Sequence, residues 1–396
     1  MTGNIDVVVI GGGYAGVMAA NRLTQRDDIS VTLINPRPGF VERLRLHQAA
    51  VGGYDAVAGY DRVLSERVRL MVDTVARIDA NVRRVELAGG GMLGYDYLVY
   101  AVGSANSDLS VPGATEFAYP IATLEHAQRL RSVLDSTPIT APVIVVGAGP
   151  SGIEVAGELA EQGRSVTLAC GGVLGPYLHP KGRRSVAKRL AKLGVNVLEG
   201  GETKVMEATR DTVRLADGRA LPSAVTAWTA GFGVPDLAAR SGLTTDAAGR
   251  LLTDETLTSV DDARVFAAGD SSAPSDMPFR MSAYNAGCLG AQAADTILAR
   301  IAGEQPESLR DLKMNAMCVS VGRGLGVFQL ADKDDTAIGI RVSGRAGTKL
   351  KEFACKSSID HLIKEAGKPG SHTFPTDETH RQEKLRAKRD KALTGR

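Results

Sequence analysis

Six glycines in two sets of three carry the chemistry this chain declares most openly. Gly11, Gly13 and Gly16 stand in G-x-G-x-x-G spacing, and Gly147, Gly149 and Gly152 repeat it. The first glycine of such a set permits a tight turn out of a strand. The second lets a pyrophosphate approach the backbone, and the third lets helix and strand pack closely. The helix that follows offers free N–H groups and a partial positive charge to the phosphates. Two dinucleotide sites on one chain point to one flavin and one nicotinamide coenzyme, the apparatus for passing hydride from NAD(P)H to a flavin. Two ordinary βαβ turns without ligand would carry the same glycines, so the flanking residues have to decide.

The flanks favour true nucleotide folds. Asp6–Asn35 and Val143–Cys170 each read as an apolar run, a glycine turn, a segment of helical period and a second apolar run. The repetition extends further. Val82–Gly103 and Asp211–Gly231 each read as strand, glycine turn, short strand and an apolar strand closed by a glycine, so Gly103 and Gly231 join the candidate cofactor-binding positions. The expected fold class is α/β, with two Rossmann-like dinucleotide-binding units. Val111-Pro112-Gly113 marks the crossing between them. Tyr54–Val68 reads as a short helical or irregular excursion, and Pro235–Arg250 as a loop-rich link. Leu251 onward returns to strands, and Ala283–Ala302 has helical period. Near Leu312 the composition changes to a hairpin or small sheet. Thr348–Glu365 then reads as a helix without one clean apolar stripe, and the polar remainder as partly disordered or a lone polar helix.

With 396 residues, 43% hydrophobic and 23% charged, the chain has the composition of a soluble globular protein of two or three domains. The formal net charge of +2 argues for no nucleic-acid partner. The balance is uneven: Arg341–Arg396 holds 14 Lys/Arg against 7 Asp/Glu, so this section is +7 and the rest −5. Such a section can touch an anionic membrane surface or can simply be solvated. No basic leader with an apolar core and no run of about 18 apolar residues stands out, so the expected location is cytoplasmic, at most peripheral on the inner face of the cell membrane. Cys170, Cys288, Cys318 and Cys355 are scattered, without C-x-x-C or metal-ligand spacing. They read as buried inert thiols, and no metal site is expected.

The first glycine turn, Tyr95–Gly103 (YDYLVYAVG), the second turn with GIEVAGEL, and Arg264–Asp270 (RVFAAGD) together resemble the FAD-dependent pyridine nucleotide–disulfide oxidoreductase superfamily. The nearest branch is that of type II NADH dehydrogenases and apoptosis-inducing-factor-like proteins, which lack the redox disulfide. The resemblance covers about Ile5 to Ile301. It implies a glutathione-reductase-like pair of nucleotide domains plus a small C-terminal α+β region. Residues 1–112 and 251–311 would form a discontinuous FAD-binding domain, 113–250 the NAD(P)H-binding domain, 312–366 the C-terminal region and 367–396 a polar basic tail. It also implies roles. Gly11, Gly13 and Gly16 would hold the FAD pyrophosphate, and Asp270 the ribityl or phosphate region. Gly147, Gly149 and Gly152 would hold that of NAD(P)H, and Glu154 would orient the nicotinamide carboxamide.

Departures from the pattern leave alternatives open. The end of the second strand of such a unit usually bears a carboxylate for the ribose hydroxyl. Here it is Asn35, followed by Arg37, in the first unit and Cys170 in the second. Lys181, Arg183 and Arg184 follow and could attract a 2′-phosphate, so NADPH stands beside NADH. Phe40–Gln48 falls where the family covers the flavin face. There Arg45 could stabilise developing negative charge and His47 could supply a proton, with Arg43 and Gln48 beside them; a surface helix of alternating charge is the other reading. Arg280–Gln292 falls where quinone-reducing members keep a glutamine-rich turn, with Tyr284, Asn285 and Gln292 as polar candidates. The expected activity is that of an FAD-dependent NAD(P)H dehydrogenase whose electrons go to a small-molecule acceptor, quinone first. A ferredoxin-like partner and a biosynthetic substrate follow, and a homodimer is compatible. A non-enzymatic NAD(P)H sensor is the alternative from another class.

Overall fold

The glycine-turn strands lie at the centre of two parallel sheets with the same order. In the computed structural model, which describes residues 4–105, 109–312, 315–377 and 380–394, the first sheet runs Val265–Ala267, Tyr97–Tyr100, Ile5–Ile10, Ile29–Asn35, Val68–Val72. The second runs Ala118–Pro120, Val225–Trp228, Val143–Val146, Val166–Ala169, Asn196–Leu198. All neighbours in both are parallel. Each unit also carries a three-stranded antiparallel meander, Val75–Gly94 in the first and Val205–Pro222 in the second, from which the chain re-enters the parallel sheet. Near-continuous apolar runs such as Val7–Ile10 and Val143–Val146 suit strands buried on both faces.

The two sheets acquire their first edge strand differently. In the first unit it is Val265–Ala267, which arrives after the whole second unit has been built; in the second it is Ala118–Pro120, which precedes that unit's glycine loop. The chain therefore leaves the first unit, completes the second and returns. Ala283–Ala302 is helical, as its period suggests, and lies against the first glycine-loop helix (Tyr14–Leu23). Gly290 approaches so closely that a Cβ there would stand 2.2 Å from the Ala15 carbonyl oxygen.

The change of composition near Leu312 corresponds to a three-stranded antiparallel sheet, Asn315–Val321, Leu325–Ala331 and Ala337–Gly344. A 23-residue helix, Arg345–Gly367, packs on it. The missing apolar stripe has a physical cause. The buried face of this helix is Gly347, Lys351, Cys355, Ile359, Leu362 and Glu365, so two charged residues interrupt it. The tail is not a lone polar helix. His380–Thr394 is helical and its first turns dock: Arg381 is buried, bonds both Glu255 carboxylate oxygens (2.6 and 3.0 Å) and lies over the Phe279 ring, and Leu385 is buried. Lys384 pairs with Asp334 and Lys388 with Asp276. Three cations of the basic section thus face acidic groups of the protein's own surface. The remainder of that tail expectation, at 378–379 and 395–396, lies outside the described residues. Among the described residues no helix is long and apolar enough to cross a membrane.

Candidate functional site

Both glycine loops have the geometry that a bound pyrophosphate requires. Gly11 and Gly147 each take φ +104°, a value that L side chains rarely adopt. A Cβ on Gly16 would meet the Gly11 carbonyl oxygen at 1.8 Å, and one on Gly152 would meet that of Gly147 at the same distance. Gly13 and Gly149 are the N-caps of Tyr14–Leu23 and Pro150–Glu161, and neither helix start is capped by a side chain. A Cβ on Gly13 or Gly149 would meet nothing within 4 Å, so the approach to each free helix N-terminus is open.

The first cleft also carries a cation suited to an anionic cofactor. Arg43 reaches across to the Ser104 carbonyl oxygen (2.5 Å) and stands 3.7 Å from where a Gly103 Cβ would be. Ser104 Oγ donates to Asp270 (2.7 Å). Burial pushes the Arg43 guanidinium down and the Asp270 carboxyl up, and each partly restores the other's charge. Sequence reasoning put Arg43 with the electron acceptor, whereas the structure brings it to Asp270 and Gly103. Asn35 does not point into free space: its Oδ1 accepts from Gly12 N (3.0 Å) and its Nδ2 donates to the Arg37 carbonyl (2.8 Å). Arg37 is bound to Glu125 on the helix Leu124–Ser136, which ties the first unit to the second. The residues of this cleft fit FAD through open helix N–H groups, an enclosed arginine and a carboxylate at a strand end.

In the second cleft, Gly231 at φ +80° ends the strand beside Gly147. Cys170 is pushed up to about 12 by burial and by the neighbouring Glu199, so it is a neutral thiol. Glu199 itself accepts from Leu174 N at 2.7 Å. Sequence reasoning found no carboxylate here because it read along the second strand alone, and Glu199 comes from the end of the next one. Lys181 and Arg184 are exposed at the start of Pro180–Lys192, and Arg183 reaches back to the Leu178 carbonyl.

The second glycine-loop helix, the short helix Leu46–Ala50, the C-terminal sheet and the long helix meet at a buried polar cluster. Glu154 projects from the second glycine-loop helix, His47 from the short helix Leu46–Ala50, Ser320 from Asn315–Val321 and Lys351 from Arg345–Gly367. Lys351 Nζ donates to Glu154 Oε1 (2.6 Å) and Ser320 Oγ (2.6 Å), and lies 3.4 Å from His47 Nε2. Ser320 N also donates to Glu154 Oε1 (3.2 Å), and His47 Nδ1 lies 3.3 Å from Glu154 Oε2. One proton placement satisfies every contact: imidazole Nδ1–H toward the carboxylate, Nε2 accepting from the ammonium. All three ammonium protons then have an acceptor, which is the condition under which buried charge is tolerated. Burial opposes the Lys351 charge, but the Glu154 carboxylate outweighs it and the ammonium is held above its usual range.

His47 is corrected by this geometry. Burial, with Lys351, Arg323 and Arg45 nearby, holds its pKa well below the usual value, so it is a neutral link in the network and not a stored proton. Arg45 is also placed differently from expectation: it is bound to Glu42 (3.3 Å) and Glu352 (2.9 Å) and lies over the Tyr54 ring. The segment is no surface helix, since Phe40, Arg45, His47 and Gln48 are all buried. Lys351 and Ser320 were missed entirely. The one available signal was a lysine and a glutamate breaking an otherwise apolar helical face.

Of the acceptor-side candidates, Tyr284 lines a small gap with Tyr14, Met18, Gly287, His361 and Phe374. Asn285 donates to the Arg280 carbonyl and Gln292 to that of Glu307. All four cysteines are free thiols, and among the described residues no cluster of metal-ligating side chains occurs.

Residues 5–288 match the family described as pyridine nucleotide-disulphide oxidoreductase. An NADH dehydrogenase-like protein of Mycobacterium tuberculosis is 30% identical over 293 residues, covering 67% of this chain and 72% of that protein. A type II NADH:quinone oxidoreductase of the same organism is 30% identical over 349 residues, 76% and 73% of the two chains. The fold is shared with solved structures. Sulfide:quinone oxidoreductase from Aquifex aeolicus aligns over 91% of this chain and 92% of its own, with TM-score 0.77 and 20% identity.

Proposed function

This chain belongs to the pyridine nucleotide-disulphide oxidoreductase family, and we propose that it oxidises NADH and passes the electrons through FAD to a quinone. The observation that carries this reading is the cluster of Glu154, Lys351, His47 and Ser320, built where the two glycine-loop units and the C-terminal sheet converge. Bound FAD supplies the chemistry of taking hydride from a nicotinamide and releasing electrons onward.

The protein's own part is binding, orientation and proton supply. Gly11, Gly13, Gly16, Gly103, Arg43 and Asp270 hold the flavin coenzyme, with Asn35 fixing its glycine loop. Gly147, Gly149, Gly152 and Gly231 present the nicotinamide coenzyme. Glu199 beside Cys170 favours NADH, because a carboxylate repels a 2′-phosphate and accepts from a 2′-hydroxyl. Lys351, held charged by Glu154, exchanges its Ser320 or His47 contact for an acceptor oxygen, stabilises the negative charge there and can donate a proton to it. A quinone is a flat, largely apolar ring. Such an acceptor dissolves in lipid, and Phe353, exposed on the long helix with Lys349 and Lys356 nearby in sequence, supports peripheral contact with the inner face of the membrane.

Anaerobic addition of NADH to the yellow holoprotein should bleach the flavin band, and a short-chain quinone should restore it within the turnover time. Bleaching into a long-lived reduced form that no quinone reoxidises would contradict the reading and favour an NAD(P)H sensor.

A further inference from the structure

One buried carboxylate has no task in the arrangement above. Glu158 lies one helical turn beyond Glu154 on Pro150–Glu161, and only 7% of its surface is exposed. Among the described residues nothing donates a hydrogen bond to its carboxylate, and its close partner is Arg323 Nε at 3.5 Å. Arg323 is half exposed in the turn between the first two strands of the C-terminal sheet, and it also approaches Glu352 (3.8 Å). The Gly52-Gly53 turn covers the other side: a Cβ on Gly53 would stand 3.1 Å from Arg323 and 3.9 Å from Glu158 Oε2. Both glycines are exposed. The carboxylate therefore sits beneath the solvent-exposed Gly52-Gly53 backbone and one half-exposed arginine, with the polar cluster one turn further in.

The proposed reaction requires such a group. Hydride brings two electrons and one proton from NADH, while a quinone becoming a quinol takes two electrons and two protons. The second proton must come from water, and the cluster that delivers it in this reading is buried. We infer that Glu158 is the proton-relay residue of this protein, taking a proton from solvent at the Arg323–Gly53 opening and passing it along the helix to Glu154 and Lys351. The O–H bond of the Glu158 carboxyl breaks, its proton replaces the one that Lys351 gives to the acceptor oxygen, and the Glu158 carboxylate is reprotonated from outside. Side chains one turn apart on a helix are about 5–6 Å apart at Cβ, a gap one bridging water spans.

The surroundings suit a group that must hold and release a proton. Glu154 and Glu161 act on it from its own helix, Arg323 from the hairpin turn and Lys351 from the long helix; His47 stands next to Glu154, and Glu352 next to Arg323. Burial and the two glutamates push its carboxyl up, against Arg323 and Lys351. A raised carboxyl keeps its proton to higher pH than a surface glutamate does and so can donate closer to neutrality.

This inference rests on the quinone reading of the site, and the two fail differently. The holoprotein and its Glu158→Gln and Glu158→Asp variants are reduced anaerobically with NADH, then mixed with a short-chain quinone in weak buffer containing a pH-indicator dye. The dye reports proton uptake separately from the flavin absorbance. In Glu158→Gln, bleaching should stay within about twofold of the parent, while proton uptake and reoxidation slow at least about tenfold above pH 8. Glu158→Asp, or added formic or acetic acid, should restore most of the rate. Proton uptake at the parent rate across the pH range in Glu158→Gln would overturn the relay while leaving the quinone reading standing. Equal slowing of bleaching and uptake would also overturn it, because that marks a positioning defect. A parent protein that no quinone reoxidises would overturn both.

Discussion

The two glycine-loop helices occupy equivalent places in equivalent units, yet they carry opposite chemistry. Where the second presents Glu154 and Glu158, the first presents Met18 and Arg22 at the matching distances from the glycine set. Met18 is fully buried in the apolar core. Arg22 pairs with Asp295 (2.6 Å) and with the fully buried Glu365 (3.2 Å), and it donates to the His372 carbonyl oxygen. The same long helix, Arg345–Gly367, serves both: its Lys351 meets a carboxylate of the second unit and its Glu365 meets a cation of the first. One end of that strut builds the buried polar cluster around Glu154. The other anchors the segment that follows it, since Glu365 also accepts from Gly370 N and His372 N. A duplicated frame thus packs one glycine-loop helix in an apolar core and turns the other toward a buried charged cluster.

Substitutions can separate the two units. The largest effects belong to the third glycines, where any side chain collides with backbone. Gly16→Ala should yield colourless protein. Gly152→Ala should stay yellow but fail to bleach with NADH, as absorbance at the flavin band would report; identical phenotypes would erase the distinction between the units. Lys351→Met should slow quinone reoxidation of the reduced flavin by about 10²-fold or more, with flavin content retained. A rate within threefold of the parent in stopped-flow would remove Lys351 from the acceptor side.

Arg22→Ala tests the other end of the strut. It leaves Glu365 buried without its cation, a change that typically costs about 3–5 kcal/mol. Denaturant unfolding should show that loss, while turnover of the surviving folded protein at 25 °C stays near the parent's. Glu199→Gln should narrow the preference for NADH over NADPH by about tenfold (about 1.4 kcal/mol), read from kcat/KM with each; an unchanged ratio would return the choice to the basic residues of Pro180–Lys192.

The smallest effect concerns the Arg37–Glu125 pair between the units. Arg37 holds the Glu125 carboxyl down to about 2. A carboxyl lowered on folding contributes stability that is present above its unfolded pKa of roughly 4.3 and is lost as pH falls toward 2. Both side chains are substantially exposed, so the contribution is about 1 kcal/mol or less. Arg37→Ala should flatten the acid limb of the stability profile slightly and leave pH 7 turnover unchanged.

The duplicated frame was legible because it depends on local requirements. Positive φ at Gly11 and Gly147 and close approach at Gly16 and Gly152 admit essentially one residue type each, and apolar runs announce doubly covered strands. The cluster was only half legible. Glu154 and His47 stood out through their motif context, but Lys351 lies 197 residues from Glu154 and on a helix whose buried face is mixed. Nothing local pairs a lysine with a carboxylate across that distance. The same limit explains Arg43, assigned to the acceptor side yet folded back on Ser104, and Glu199, supplied by a neighbouring strand.

The most direct test of the whole account is a crystal structure of the protein with FAD and NADH both bound. The account predicts the isoalloxazine in the first cleft, the nicotinamide presented by the second, the two rings in contact, and Lys351 and Glu154 beside them. Rings held apart, or one cleft taking both coenzymes in turn, would contradict it.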